Sequence, residues 1–168
     1  MAHDKAYYEA EKKIEETLKS GATELDLSDM ELTELPESIG QLTHLWKLNL
    51  GHSDDKSDVF RNQLTELPES LGQLTQVQEL NLSNNQLTAL PESISNLTKL
   101  NSLMLGSNRL TVLPDALNSL VNLNWLTFSE NNITAIPEWI GNFTRLTGLA
   151  LGNCQLHSFP DWILRLSR

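Results

Sequence analysis

Six prolines, Pro36, Pro68, Pro91, Pro114, Pro137 and Pro160, stand 23 residues apart except for a first gap of 32, and each sits in the same apolar frame. The chain is therefore one short unit written six times. A unit of that size cannot bury its own apolar face; it hides that face only against another unit of its kind. Repetition then gives a stacked, elongated body rather than a compact globule.

Between Val77 and Leu100 the residues Leu80, Leu82, Asn85, Leu87, Leu90, Pro91, Ile94 and Leu97 recur as Leu103, Leu105, Asn108, Leu110, Leu113, Pro114, Leu117 and Leu120. The frame L-x-x-L-x-L-x-x-N-x-L-x-x-L-P-x-x-I-x-x-L is the signature of a leucine-rich repeat solenoid. Alternation at Leu80 and Leu82 suits a short strand with one buried face, and stacked copies make a parallel sheet whose other face meets water or a partner. The Asn column runs Met30, Asn62, Asn85, Asn108, Asn131, Cys154. An inward amide there satisfies backbone groups that would otherwise be buried unpaired, and the Cys154 thiol replaces it as a weak donor.

An acid follows each proline, and three residues later comes Gly40, Gly72, Ser95, Asn118, Gly141 or Leu164. Proline at the first helical position, a carboxylate in the first turn and a Gly or Asn stop predict one short helical turn per unit on the convex side. These acids, Glu37, Glu69, Glu92, Asp115, Glu138 and Asp161, supply six of the 22 carboxylates. The formal charge of −10 is thus partly a by-product of the repeat.

Residues 1–21 are expected to form an N-terminal capping helix and residues 22–168 the repeat domain, with an insert loop at 53–61. Ala6, Ala10, Ile14 and Leu18 mark the apolar stripe of the helix, which ends at Gly21 and covers the first rung. The insert carries Asp54, Asp55 and Asp58 but lacks the Gly and closing Glu of an EF-hand, so it reads as a loop, with Phe60 available to grip a ligand. At the far end the strand near Leu149 and Leu151 has no following rung, and weak end-to-end dimerisation is expected there. Trp139 and Trp162 share a convex column, where they either shield the last rungs or mark a surface for a further domain.

The N-terminus lacks an apolar targeting core, and no stretch approaches the ~18 apolar residues of a membrane span. One cysteine forms no internal disulfide, which favours a reducing, cytoplasmic setting. His3, His44, His52 and His157 fall on different faces, and no phosphate-cradling Gly-rich loop occurs, so neither an enzyme centre nor a cofactor or metal is expected. An acidic pI near 4.7 argues against nucleic acid as a ligand.

The outward strand positions form two columns: Glu24, Lys47, Glu79, Ser102, Trp125, Gly148, and Asp26, Asn49, Asn81, Met104, Thr127, Ala150. They change along the body from charged and amide-rich to apolar and small. Met104 and Trp125 are expected to form an exposed apolar patch, with Thr127, Ser102, Asn81, Glu79 and Glu130 around it and Phe60 assisting: a protein-binding surface.

The segments L-T-E-L-P-E-S-I-G-Q-L-T-x-L and L-N-L-S-N-N-Q-L-T-A-L-P-E-S-I resemble the 23-residue repeats of the Ras-associated scaffold group and of bacterial Roco-type GTPases. The resemblance implies a right-handed curved solenoid that binds proteins on its concave side, and a bacterial setting. It does not extend to a GTPase domain. The functional expectation is a non-enzymatic interaction scaffold; the alternative is a regulatory or targeting fragment of a larger signalling enzyme.

Overall fold

The computed structural model describes residues 4–52, 61–161 and 163. Six strands, β1 (Glu24–Asp26), β2 (Lys47–Asn49), β3 (Glu79–Asn81), β4 (Ser102–Met104), β5 (Trp125–Thr127) and β6 (Gly148–Ala150), pair in sequence order into one parallel sheet. Their register follows the repeat frame: Leu25, Leu48, Leu80, Leu103, Leu126 and Leu149 stand opposite one another. All but Leu149 are buried, and with Leu82, Leu105, Phe128 and the 3-10 turn residues Ile94 and Leu117 they form one continuous core. This is the expected α/β leucine-rich repeat solenoid, with the sheet on one side and short turns on the other.

Backbone pairing across such short strands leaves the following bend unsatisfied, and the Asn column closes that gap. Asn108 Oδ1 accepts from Leu87 N at 3.0 Å, while its Nδ2 donates to Leu82 O and Leu105 O, each at 3.0 Å. Asn85 and Asn131 repeat the arrangement on either side. Asn62 serves the first rung, accepting from Met30 N and Leu32 N and donating to Leu27 O, so Met30 needs no donor of its own. Cys154 Sγ donates to Phe128 O at 3.3 Å in the last position.

The convex turns are the short helical turns expected, but they start and stop at other residues. Each is a 3-10 turn of five residues, Glu37–Gln41, Glu69–Gln73, Glu92–Asn96, Asp115–Ser119 and Glu138–Asn142, and the proline stands just before it. With ψ between 136° and 150° the prolines finish an extended segment, and the carbonyl of Pro36 then accepts from Ile39 N at 3.1 Å. The tighter 3-10 path, about 2 Å per residue, crosses the width of a rung in few residues. Gly40 and Gly72 are not stops but lie inside their turns. A Cβ on Gly40 would stand 2.8 Å from Ser70 O, and one on Gly72 would overlap Ser93, so these glycines provide clearance between neighbouring turns. The turns end instead at Leu42, Leu74, Leu97, Leu120 and Phe143, whose side chains enter the core.

Helix α1 (Lys5–Ser20) begins at Asp4, whose carboxylate accepts from Tyr7 N, and ends at Gly21 with φ 70°. It packs on β1 and the first turn. Its buried stripe is Ala10, Ile14 and Thr17, whereas Leu18 is 41% exposed. Strict four-residue spacing drifts around a helix of 3.6 residues per turn, which carries Leu18 off the face and brings Thr17 onto it. Trp139 is half-buried against Phe143, with ring centroids 5.7 Å apart, and its Nε1 donates to Asp115 Oδ1 at 3.0 Å; Trp162 lies outside the described residues.

Asn108→Ala should cost about 3 kcal/mol, because several buried backbone groups lose their partner at once. Asn108→Asp should cost at least as much, keeping the acceptor but losing both donors. Urea unfolding of the two variants checks this, and an Asn108→Ala loss below about 1 kcal/mol would refute the role given to the column.

Candidate functional site

The outward sheet face divides into two halves with different chemistry. In the N-terminal half the polar groups satisfy one another. Asp26 Oδ1 accepts from Ser28 N at 2.8 Å and from Asn49 Nδ2 at 3.2 Å; Asn49 Oδ1 accepts from Asn81 Nδ2 at 2.9 Å; Asn81 Oδ1 accepts from Ser83 N at 3.0 Å. Asn81 is buried in this chain of bonds. Burial pushes the Asp26 carboxyl upward, but the hydrogen bonds from Ser28 and Asn49 and the nearby Lys13 charge outweigh it and hold the group below the usual range. Lys47 pairs with Glu79 at 3.1 Å, and that bond raises the ammonium above its ordinary value.

The bonded column stops at Met104, which has no amide to continue it. From β4 onward the outward positions are Ser102, Met104, Trp125, Thr127, Gly148 and Ala150, and all but the exposed Trp125 are half-buried. Trp125 is 46% exposed, the largest side chain left open on the sheet. A Cβ on Gly148 would overlap its six-membered ring, so the indole lies over the bare backbone of β6. Register sets Ser102 beside Trp125 and Met104 beside Thr127, which makes Met104 the diagonal neighbour of the indole. The ring leans toward Gly148, on the opposite side from Met104, so the apolar surface is spread over β4 to β6. At its margin Ser107 Oγ donates to Glu130 Oε2 at 2.6 Å.

The margin residues share a backbone peculiarity. Asp29, Asn84, Ser107, Glu130 and Asn153 adopt φ of 54–58°, the left-handed region. Each directly precedes a residue of the Asn column. For Ser107 and Glu130 this conformation costs about 1 kcal/mol or more, borne by the ladder bonds on either side.

Residues 58–110 and 98–156 match the family model described as Leucine rich repeat. The chain belongs to the leucine-rich repeat family. Among solved structures, the leucine-rich repeat domain of a Shigella effector is similar, with a TM-score of 0.68 and 27% identity over 91% of this chain and 59% of that one. A Leptospira interrogans leucine-rich repeat protein is 28% identical over 81% of this chain and 44% of its own, with a TM-score of 0.41. The chain thus spans less than two thirds of either. No curated protein matches.

Leucine-rich repeats are commonly protein-interaction modules rather than catalytic bodies. His52 Nδ1 lies 2.7 Å from Asp29 Oδ1 just beyond β2, three strand spacings from the β5 strand that carries Trp125, and His157 is exposed at the far end. Among the described residues no group of three His, Cys, Asp or Glu side chains is placed to hold a metal ion, and no helix is long and apolar enough to cross a membrane. Phe60 lies outside the described residues, as do the insert's aspartates.

Sequence reasoning missed Gly148 as the seat of Trp125 and the bonded run from Asp26 to Asn81. A glycine at an outward strand position next to a tryptophan was the available signal.

Burial raises the Cys154 thiol, outweighing a backbone N–H bond from Asn131. The native state favours the neutral thiol; this contribution to stability is complete below the unfolded thiol pKa and is lost as pH rises through the higher folded value. Iodoacetamide at pH 8 should therefore modify Cys154 more slowly in the folded chain than in urea. Equal rates, measured by mass spectrometry, would contradict its place in the ladder.

Proposed function

We propose that this leucine-rich repeat chain is a non-enzymatic interaction module that takes a protein partner on its concave sheet face. The reading centres on Trp125, Met104 and Thr127, with Ser102 beside them, Glu130 at one margin and the Lys47–Glu79 pair at the other. One observation carries it: a half-exposed indole lying against Gly148 on the next-to-last strand of a sheet face that the fold leaves uncovered. A rigid aromatic loses little entropy when it is covered, which is why such residues dominate binding energy at protein interfaces. Asn81 contributes through the order it gives its neighbours, since its own amide is already bonded. The lone half-buried thiol suits work in a reducing compartment.

The edge of β6 supports a second, weaker contact. Leu149, Leu151 and Leu156 are only partly covered there, while α1 covers the opposite end. Two copies meeting at this edge would dimerise at high concentration. Light scattering at millimolar protein should show a rise in mass, and a constant monomer mass would dismiss the contact.

Trp125→Ala should weaken capture of the native partner at least about tenfold while changing stability by less than about 1 kcal/mol. Gly148→Ala should weaken it too, by displacing the ring without removing it. Affinity capture from a bacterial extract, followed by titration of the purified partner, tests both; unchanged affinity in the two variants would defeat the placement.

A further inference from the structure

The two halves of the sheet face together define the chemistry of an occupant, and the inference below rests on the sheet-face reading just given. In the outward columns and their adjoining turns, the carboxylates are Glu24, Asp26, Asp29, Glu79 and Glu130. Lys47 is the one cation within the columns, and it is engaged by Glu79; in the adjoining turns Arg61, at the position equivalent to Asp29 and Glu130, donates to Asn84 Oδ1 at 3.2 Å. Lys13 reaches from α1 to the backbone carbonyl of Asp26 at 3.3 Å, and His52 is bonded to Asp29. The face as a whole therefore remains anionic, most strongly at β1, while its apolar ground lies at β5 and β6.

The separation between these poles is fixed by the repeat. From β1 to β5 is four strand spacings, ~19 Å at ~4.8 Å each. An extended chain advancing ~3.3 Å per residue covers that distance in about six residues. The strands run across this direction, so a segment spanning both poles crosses them rather than adding to a sheet edge.

We propose that the sheet face takes an extended peptide segment lying across the strands, with an aliphatic or aromatic side chain on Trp125 and a lysine or arginine about six residues away facing Glu24 and Asp26. Charge complementarity chooses the cation, and the open indole chooses the apolar anchor. A carboxylate-bearing segment meets like charge at the three acids of the β1 rung, at Glu79 on β3 and at Glu130. The spacing sets the specificity: a cation placed next to the apolar residue reaches only the β5 margin and leaves the β1 acids unmatched.

Blocked Ser/Gly peptides of about twelve residues, carrying one leucine and two lysines about six residues apart in either order, are the probe. They are titrated into the full 15N-labelled chain at about 50 mM salt, where the Debye length is still longer than 10 Å. One order should shift amides of both β1–β2 and β4–β6. Replacing the lysines by glutamate, or moving them beside the leucine, should weaken binding about fivefold, as should Glu24→Gln with Asp26→Asn. Trp125→Ala should abolish the β4–β6 shifts.

Equal binding by the neutralised variant or by the glutamate peptide overturns the charge inference. Leucine-dependent shifts that still vanish in Trp125→Ala would in that case leave the sheet-face reading standing. Shifts indifferent to Trp125→Ala refute both. No shift with either peptide, or sheet-face shifts that grow with protein concentration before any peptide is added, overturns the inference in favour of no such ligand or of a second copy.

Discussion

The interaction on which this structure depends is the buried amide that ties each rung to the one before it. A parallel sheet of three-residue strands offers too little pairing to hold a chain that turns sharply after each strand. The bend after each strand leaves carbonyls pointing into a space sealed by leucines, where an unpaired group costs about 1–3 kcal/mol. Asn85, Asn108 and Asn131 each donate to the carbonyl of their own rung and to that of the previous one, so one side chain satisfies two layers. The left-handed residues that precede this column are held in place by those bonds. Without the amide, the leucines alone would favour collapse without fixing the register.

The same period organises the surface. Because equivalent positions stand 23 residues apart and one strand spacing away in space, polar side chains pair laterally: Lys99 with Gln76, Arg145 with Asn122 and Gln155 with Asn132, while Trp139 reaches Asp115, one position off its equivalent. Each exposed pair is worth little alone. Their collective effect is to keep rungs aligned on the outside as the ladder aligns them inside. The run from Asp26 through Asn49 to Asn81 belongs to this class, and it stiffens one half of the sheet face without any contribution from the core.

Most of the fold was legible because inward positions repeat and repetition is visible. The registers, the Asn column with its cysteine substitute and the capping role of the helix all follow from counting. What counting did not reveal was local path. The convex segments look like helix starts by residue type, yet the 23-residue unit leaves room only for 3-10 turns, with the proline ahead of them. Glycines there read as stops because composition cannot tell a left-handed backbone from a close approach, and Gly40 and Gly72 are the latter. At the site, the columns of outward residues were readable from the register, whereas the tilt of Trp125 depends on the missing side chain of a residue on the next strand.

That tilt bears on how a solenoid of identical units acquires a distinctive place. Every inward position is under the same constraint in each rung, so a change there costs stability without gaining contact. The outward positions carry no such constraint once the lateral bonds are satisfied, and they alone are at liberty to differ. In this chain the differences are graded: acid and amide at β1 to β3, a methionine that ends the bonded column at β4, and an indole on a bare backbone at β5 and β6. A gradient of this kind gives a partner both a position and a direction along the sheet, since sliding by one rung removes the indole contact and misaligns the charges together. The rigid ladder is what makes the gradient readable, because a floppy stack would let each rung answer a ligand separately.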